Sequence, residues 1–444
     1  MISALVTTVL RALRQHKLSQ DIAYSMGSFV MLAISGIVIN VVVTACRDAA
    51  ALGAFNLAYA VYIVMSQFAV WGIQYSVLRH SAFHKDSPVE RGTMLCTAAC
   101  MVTALGAVAT LVLLLAEPLF ARLFNSVQTG QAIHYAAFGL LLFPLNKVLL
   151  AYLNGLRAMR AFSVLQGLRY LMVMVTVCAV ALSSWPIERA ALAFIVAESV
   201  TVLACAAYLI HTGLVSTWAP SRQWVCTHFR FGTKGLLSGM FTEVNSRIDV
   251  LLIGLFLSDR ATGIYSFAAM LVDGLYQVLA MVRINFNPML VAFVRDGHWE
   301  QAQQLRRLAG RYVVPLTLVL SALLVLTYWA FTLWVMPGKG LAEGLASLLI
   351  LLAGLNLIAM FVPFDNLMIV SGHPGLQATQ QMASVVANAL ASAIFLPLIG
   401  IEGAAIGTAV SYVTGIAVMM FFAERLLGWR LFANTMSSRF TNKP

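Results

Sequence analysis

Residues 231–259, FGTKGLLSGMFTEVNSRIDVLLIGLFLSD, hold a contradiction that shapes the reading of the whole chain. A hydrocarbon core of about 30 Å needs about 20 helical residues at 1.5 Å each, and this stretch is long and apolar enough to cross it. Yet Glu243, Arg247 and Asp249 fall near its middle. A charged side chain at the centre of a membrane helix costs about 2.5–3.5 kcal/mol on insertion scales, so such groups face a bundle interior, a partner or water. The stretch therefore reads as the lining of a polar cavity in a membrane transporter.

The rest of the chain has the same apolar character. Of its 444 residues, 61% are hydrophobic and 10% charged, against about 45–50% and about 25% in soluble domains. Those fractions exclude an ordinary soluble domain and indicate an all-α polytopic membrane protein. The formal charge of +11 follows from the enrichment of Lys and Arg in cytoplasmic loops. No basic cluster is interleaved with aromatics, so no nucleic-acid partner is expected. The six cysteines are scattered without CxxC or Cys/His spacing and read as small membrane hydrophobes. His80 and His84 share a face in a loop but lack a third ligand. No metal and no cofactor is expected.

Twelve apolar runs follow one another, near 22–46, 52–78, 92–116, 131–155, 163–184, 189–211, 232–257, 262–291, 309–334, 342–371, 376–398 and 402–426. The first is preceded by Arg11, Arg14 and Lys17, but it exceeds a signal-peptide core of about 7–15 residues and is read as an uncleaved span. Residues 1–21 carry apolar side chains at helical spacing opposite those three cations, which predicts an amphipathic helix on the cytoplasmic surface. With the N-terminus inside, twenty of the 28 Lys and Arg, Arg169 among them, fall on the cytoplasmic side, five outside and three within spans. That bias predicts both termini in the cytoplasm. The expected organisation is residues 22–211 as a first lobe, 212–231 as a cytoplasmic linker, 232–426 as a second lobe and 427–444 as a basic tail.

The chain also echoes itself. Residues 51–58, ALGAFNLA, resemble 261–268, ATGIYSFA, at an offset of 210. Pro144 and Asn146, followed by Gly155, are matched by Pro363 and Asp365, followed by Gly372, and Glu188 by Glu402. Offsets of 210 to 219 throughout argue for two six-span lobes related by a pseudo-two-fold axis along the membrane normal.

Eight ionisable residues lie within the expected spans: Lys147, Glu198, Glu243, Arg247, Asp249, Asp273, Arg283 and Asp365. At about 3 kcal/mol each, leaving them in lipid would cost on the order of 24 kcal/mol, more than the about 5–15 kcal/mol by which a domain is stable. They must pair or meet water. Glu243 and Arg247 are four apart and can share a helix face, as a structural clasp or with the arginine facing a substrate. Asp249 points away from Arg247 and needs another partner. Arg283 either faces the cavity or snorkels to the head groups. Lys147 sits in a notch opened by Pro144, or snorkels from a kink. Asp365 is a proton or cation site, or else the ion-pair partner of Lys147 or Arg283. Glu198 reads as a buried, hydrogen-bonded acid. Cations at this depth suit an anionic cargo held by charge and by bidentate arginine contacts.

The stretch from Phe231 and Gly232 through Ser246, Arg247, Ile248 and Asp249 to Gly263, Ile264, Tyr265 and Ser266 resembles bacterial polysaccharide exporters and O-antigen flippases. That family belongs to the superfamily that also holds the multidrug and toxin extrusion carriers and the lipid II flippases. Residues 51–55 and 153–157 are similar to it as well. The resemblance implies a two-lobed carrier in the bacterial inner membrane that moves an undecaprenyl-diphosphate-linked oligosaccharide outward by alternating access, alongside glycosyltransferases and a polymerase. It implies no enzymatic activity. Arg247, Lys147 and Arg283 are the expected substrate-binding residues. Asp249, Asp273, Asp365 and Glu243 are the candidates for coupling to H+ or Na+. The alternatives are a cation-coupled multidrug exporter of the same superfamily, which would need an acid-dominated cavity, and a membrane glycosyltransferase, which would need an outer acidic metal site.

Overall fold

The computed structural model describes residues 16–215, 217, 219–297, 299–431 and 435–436. The expected amphipathic segment lies outside the described residues as far as residue 15, as does most of the basic tail. Among the described residues, ten helices are long and apolar enough to cross a membrane. Val127–Leu141 and Phe143–Gly155 meet at 43° and make one further, broken span. The break falls at Leu142, just before Pro144, whose ring stands in the first turn of the second helix and has no N–H to continue the preceding helix. The all-α polytopic class is as expected, with ten or eleven spans by length and composition where the apolar runs give twelve.

The missing span is the one expected over 232–257. It is two helices, Arg222–Asn245 and Ile248–Phe256, interrupted at Ser246 and Arg247. Arg247 has φ −132° and ψ −9° and stands as the residue before the second helix. The charges that made this stretch costly as a continuous span therefore sit at a break, where the backbone turns aside.

Two compact units make up the chain, Met1–Arg47 with Val61–Gly239, and Asp48–Ala60 with Met240–Pro444. This division differs from the sequence-based one in two places. The first part of the Ala49–Val70 helix belongs to the second unit, and residues 212–239 belong to the first. The linker expected over 212–231 is helical from Arg222. Its Trp224 packs into the core of the first unit with Val77, Leu95, Leu149 and Tyr152, because an indole of that size is stabilised more by burial than by a solvated loop.

In the first unit, Arg47 donates to the carbonyls of Ala181 at 3.1 Å, Val180 at 3.3 Å, Ser183 and Trp185 at 2.9 Å. It thereby caps the carboxyl end of the Met159–Leu182 helix, where unpaired carbonyls attract a cation. Gly235 and Gly239 let Tyr75 lie against their helix, as close packing predicts: a Cβ there would be 3.0 Å and 3.2 Å from the tyrosine. In the second unit the Pro374–Ile399 and Ile401–Leu427 helices press together at Gly407, where a Cβ would lie 2.0 Å from Ser392 Oγ. Trp429 is buried and packs on Trp299 with ring centroids 5.7 Å apart.

Candidate functional site

In the second unit, the long helix Asp259–Arg295 carries a polar stripe: Ser266, Asp273, Tyr276, Arg283 and Asn287. Spacings of seven, three, seven and four residues put them on one face of a 3.6-residue helix. The structure closes part of this row with partners from other elements. Arg283 Nη1 donates to Asp365 Oδ2 and, at 3.3 Å, to Tyr276 Oη. Gln380 Nε2 donates to the other carboxylate oxygen of Asp365 at 3.0 Å. Asp365 stands just after the short Val362–Phe364 turn, which brings Pro363 into the break. Of the two partners open to Asp365 by sequence, the structure selects Arg283. Tyr276 stacks on Tyr412 with planes 3° apart and centroids 6.2 Å apart. Asp273 and Gln277, one turn apart, are exposed.

Arg247 is placed differently. Its guanidinium lies over the ring of Tyr59, 4.8 Å from the centroid, and its Nε is buried without a hydrogen-bond partner. Asp273, Glu243 and Asp249 are the carboxylates whose charge acts on it. The predicted clasp with Glu243 does not form an ion pair among the described residues. The helix ends at Asn245, so the i to i+4 geometry that would have joined the two is absent. Ser246 fills part of the break by donating to the Glu243 carbonyl at 2.8 Å.

Asp249 has the separate partners that its direction demanded. Tyr265 donates to its Oδ2 at 2.6 Å, Thr408 lies 3.4 Å from the same oxygen, and Oδ1 accepts from the Val250 amide at 2.8 Å. A carboxylate so placed is buried yet hydrogen-bonded on both oxygens. Tyr265 lies in the second of the two echoed segments, 261–268.

Lys147 belongs to the first unit and to a separate cluster. It lines a small pocket with Phe143, Asn146, Leu150, Gln166, Arg169 and Glu198. Its ammonium is 5.3 Å from the centroid of Phe143, and the Arg169 guanidinium is 5.1 Å from the same ring. Glu198, fully buried, accepts from Arg169 Nε at 2.7 Å, Asn146 Nδ2 at 2.5 Å and Tyr62 Oη at 3.4 Å. It is the hydrogen-bonded acid that its position suggested.

Arg169 is the residue the sequence sorting misplaced. It was counted with the cytoplasmic cations, yet it lies inside the Met159–Leu182 helix with its charge turned onto Glu198. The signal was present: it falls within the apolar run 163–184 and shares its depth with an acid in the next run. The expected substrate-binding residues thus divide into Arg247 and Arg283 in one unit and Lys147 in the other.

Comparison with known proteins places this arrangement. A family model described as polysaccharide biosynthesis protein matches residues 18–294, more than half of the chain. No curated protein matched the sequence. Among solved structures, the lipid II flippase MurJ in an inward closed conformation superposes with a TM-score of 0.72 at 10% identity, over 91% of this chain and 87% of that one. An inward-facing multidrug resistance MATE family transporter of the MOP superfamily gives 0.70 at 16% identity, over 91% and 94%. A MOP superfamily transporter from Pyrococcus furiosus gives 0.57 at 16% identity, over 93% and 94%. At these identities the likeness is one of fold.

Proposed function

The chain belongs to the polysaccharide biosynthesis protein family, and we propose that it is a flippase carrying an undecaprenyl-diphosphate-linked oligosaccharide across the bacterial cytoplasmic membrane. The observation that carries this reading is Arg247: a guanidinium at a broken span, resting on a tyrosine face, with a buried nitrogen that no protein atom satisfies. A diphosphate supplies what that group lacks, since guanidinium matches phosphate oxygens in pairs and the contact strengthens as water leaves. In this reading Arg283 and Lys147 assist Arg247, Arg283 while tied to Asp365.

Transport by alternating access draws on an ion gradient, H+ or Na+. Moving one charge across 100 mV is worth about 2.3 kcal/mol, enough to bias a two-state carrier. Asp273, exposed and within the field of Arg247, is the acid best placed to couple an ion to the cargo. Asp249 and Asp365 are held by hydroxyls and by Arg283, and Glu243 borders the break. Glycosyltransferases and a polymerase of the same pathway would supply and consume the cargo. Both termini are proposed to be cytoplasmic.

One observation favours a second reading, a cation-coupled multidrug exporter. In the second unit four acids, Glu243, Asp249, Asp273 and Asp365, stand near two arginines. An acid-rich cavity suits a cationic drug. Deletion of the gene followed by mass analysis of lipid-linked intermediates separates the two. Accumulation of an undecaprenyl-linked repeat unit supports the flippase, whereas altered drug sensitivity with normal glycans supports the exporter.

A further inference from the structure

In the second unit, the Arg283–Asp365 pair and its neighbours leave a particular set of polar atoms unsatisfied. Arg283 Nη1 serves Asp365 Oδ2 and Tyr276 Oη, but Arg283 Nε is buried with no hydrogen-bond partner among the described residues. Gln380 gives its Nε2 to Asp365 Oδ1 at 3.0 Å, while its own buried Oε1 accepts nothing. Gln377, one turn earlier on the Pro374–Ile399 helix, has a buried Oε1 in the same state, and so has Oδ1 of Asn287, one turn after Arg283 on the Asp259–Arg295 helix. The two glutamines are only 4% and 3% exposed. Buried polar atoms are ordinarily paired, so one donor and three acceptors gathered around a single ion pair call for a ligand.

Charge narrows what that ligand can be. A cation would serve the three amide oxygens but would stand against the guanidinium. A phosphate or carboxylate would serve Arg283 Nε but would meet the Asp365 carboxylate and three further oxygens that need donors. The ion pair cancels its own charge, which leaves an uncharged group that both gives and takes hydrogen bonds. A hydroxyl does both at one atom, and adjacent hydroxyls on a ring do so side by side. The spacing agrees, since one helical turn advances about 5.4 Å, comparable with the length of one sugar ring. The place is also open on one side, because Arg283 and Asp365 are both part-exposed. Tyr276, which accepts from Arg283, stacks on Tyr412, and both rings are half-buried. They offer an aromatic surface to the C–H bonds of such a ring.

We propose that this node of the second unit is a subsite for one uncharged sugar ring carrying adjacent hydroxyls. One hydroxyl accepts from Arg283 Nε and donates to Gln380 Oε1, its neighbour donates to Gln377 Oε1, and Asn287 Oδ1 takes a further hydroxyl. Asp365 is a positioning residue: its two oxygens hold Arg283 and Gln380, which fixes the directions of their remaining polar atoms. Arg283 then assists Arg247 by gripping the sugar, not by meeting the diphosphate. That the sugar belongs to a lipid-linked cargo rests on the flippase reading; the binding of a sugar does not.

The test uses the purified full chain in a detergent without a sugar head group, titrated with glucose, galactose, mannose, rhamnose and N-acetylglucosamine, and separately with inorganic phosphate and with Na+. Binding is followed by saturation-transfer NMR. At least one of the sugars should saturate and should be displaced by neither phosphate nor Na+. Gln377→Leu should weaken it at least tenfold without lowering the thermal midpoint, because the change removes a buried acceptor that has no partner. A glutamine with a purely structural role would do the reverse. The double variant Arg283→Met with Asp365→Leu should abolish binding. No saturation by any of the five sugars, displacement of the sugar by phosphate or Na+, or unchanged affinity in the Gln377→Leu protein overturns the proposal. Normal lipid-linked intermediates in the deletion strain would remove the cargo assignment and leave sugar binding standing, so the two failures are distinguishable.

Discussion

Gly53 and Gly263 meet backbone to backbone in the second unit. A Cβ on Gly53 would lie 1.7 Å from the Asp259 carbonyl oxygen and 2.8 Å from the Gly263 nitrogen, and one on Gly263 would lie 1.8 Å from the Ala49 carbonyl oxygen. These are the central glycines of the two echoed segments, so the sequence repeat marks a place where paired helices cross without side chains between them.

That contact predicts the cost of filling it. The opposing atoms are backbone carbonyls, which cannot swing aside, so Gly53→Leu or Gly263→Leu should destabilise by at least the about 1–3 kcal/mol typical of overpacking. Gly274, on the same helix as Gly263, has nothing within 4 Å of its Cβ position. Gly274→Ala should be neutral or gain about 0.5–1 kcal/mol from helix propensity. Thermal unfolding of the detergent-solubilised proteins compares the three.

The Arg283–Asp365 pair is only partly buried, with side-chain exposures of 19% and 24%. Breaking it should therefore cost less than the about 3–5 kcal/mol of a fully buried pair. Asp365→Ala should lower stability by about 1–3 kcal/mol. The double variant Arg283→Met with Asp365→Leu should recover most of the loss, as measured by a double-mutant cycle of unfolding midpoints.

Much of the fold was legible because hydropathy over about 20 residues is a strong signal. The echoes at Gly53 and Gly263 gave the repeat because only glycine permits that crossing. The site was less legible. Helical spacing joined Glu243 to Arg247, but the structure breaks the helix between them, and no pattern of residue types announces such a break without a proline. Arg169 was lost because counting cations by loop ignores depth. Asp365 was narrowed to two partners, and the choice of Arg283 needed the tertiary path of the turn after Pro363. Glu198 was recognised as buried, but its donors come from three other helices that no local pattern connects.

Glu198 tests how firmly the first-unit cluster is held. Its removal breaks the Arg169–Glu198 ion pair in a largely buried site. Glu198→Leu should destabilise by about 3–5 kcal/mol, whereas Glu198→Gln, which keeps an acceptor for Asn146 and Tyr62, should cost less. The comparison is read in thermal midpoint and in the yield of monodisperse protein.

Stability should also depend on pH through His228, which precedes the expected span 232–257 and is fully buried. Its Nε2 lies 3.2 Å from the Met94 carbonyl and therefore donates, leaving Nδ1 to accept from Ser76 Oγ at 2.8 Å. Burial pushes its pKa down to about 4 from 6.5. Between those values the unfolded chain binds a proton that the folded chain refuses, so stability is full above about pH 7 and falls as pH drops towards 4. The loss is on the order of 3 kcal/mol at the acid end. His228→Gln, which does not titrate, should flatten the thermal midpoint between pH 6.5 and pH 4.5 relative to the parent; equal slopes would contradict the assignment.

Arg247 bears the weight of the functional reading, and its replacement by Ala in a deletion background is the measurement to make. Membrane levels of the variant are checked by blotting while surface glycan and lipid-linked intermediates are quantified by mass spectrometry. Loss of surface glycan with accumulation of an undecaprenyl-linked repeat unit, partly restored by Arg247→Lys, is the predicted result. Surface glycan and intermediates at parental levels in the Arg247→Ala strain would contradict it.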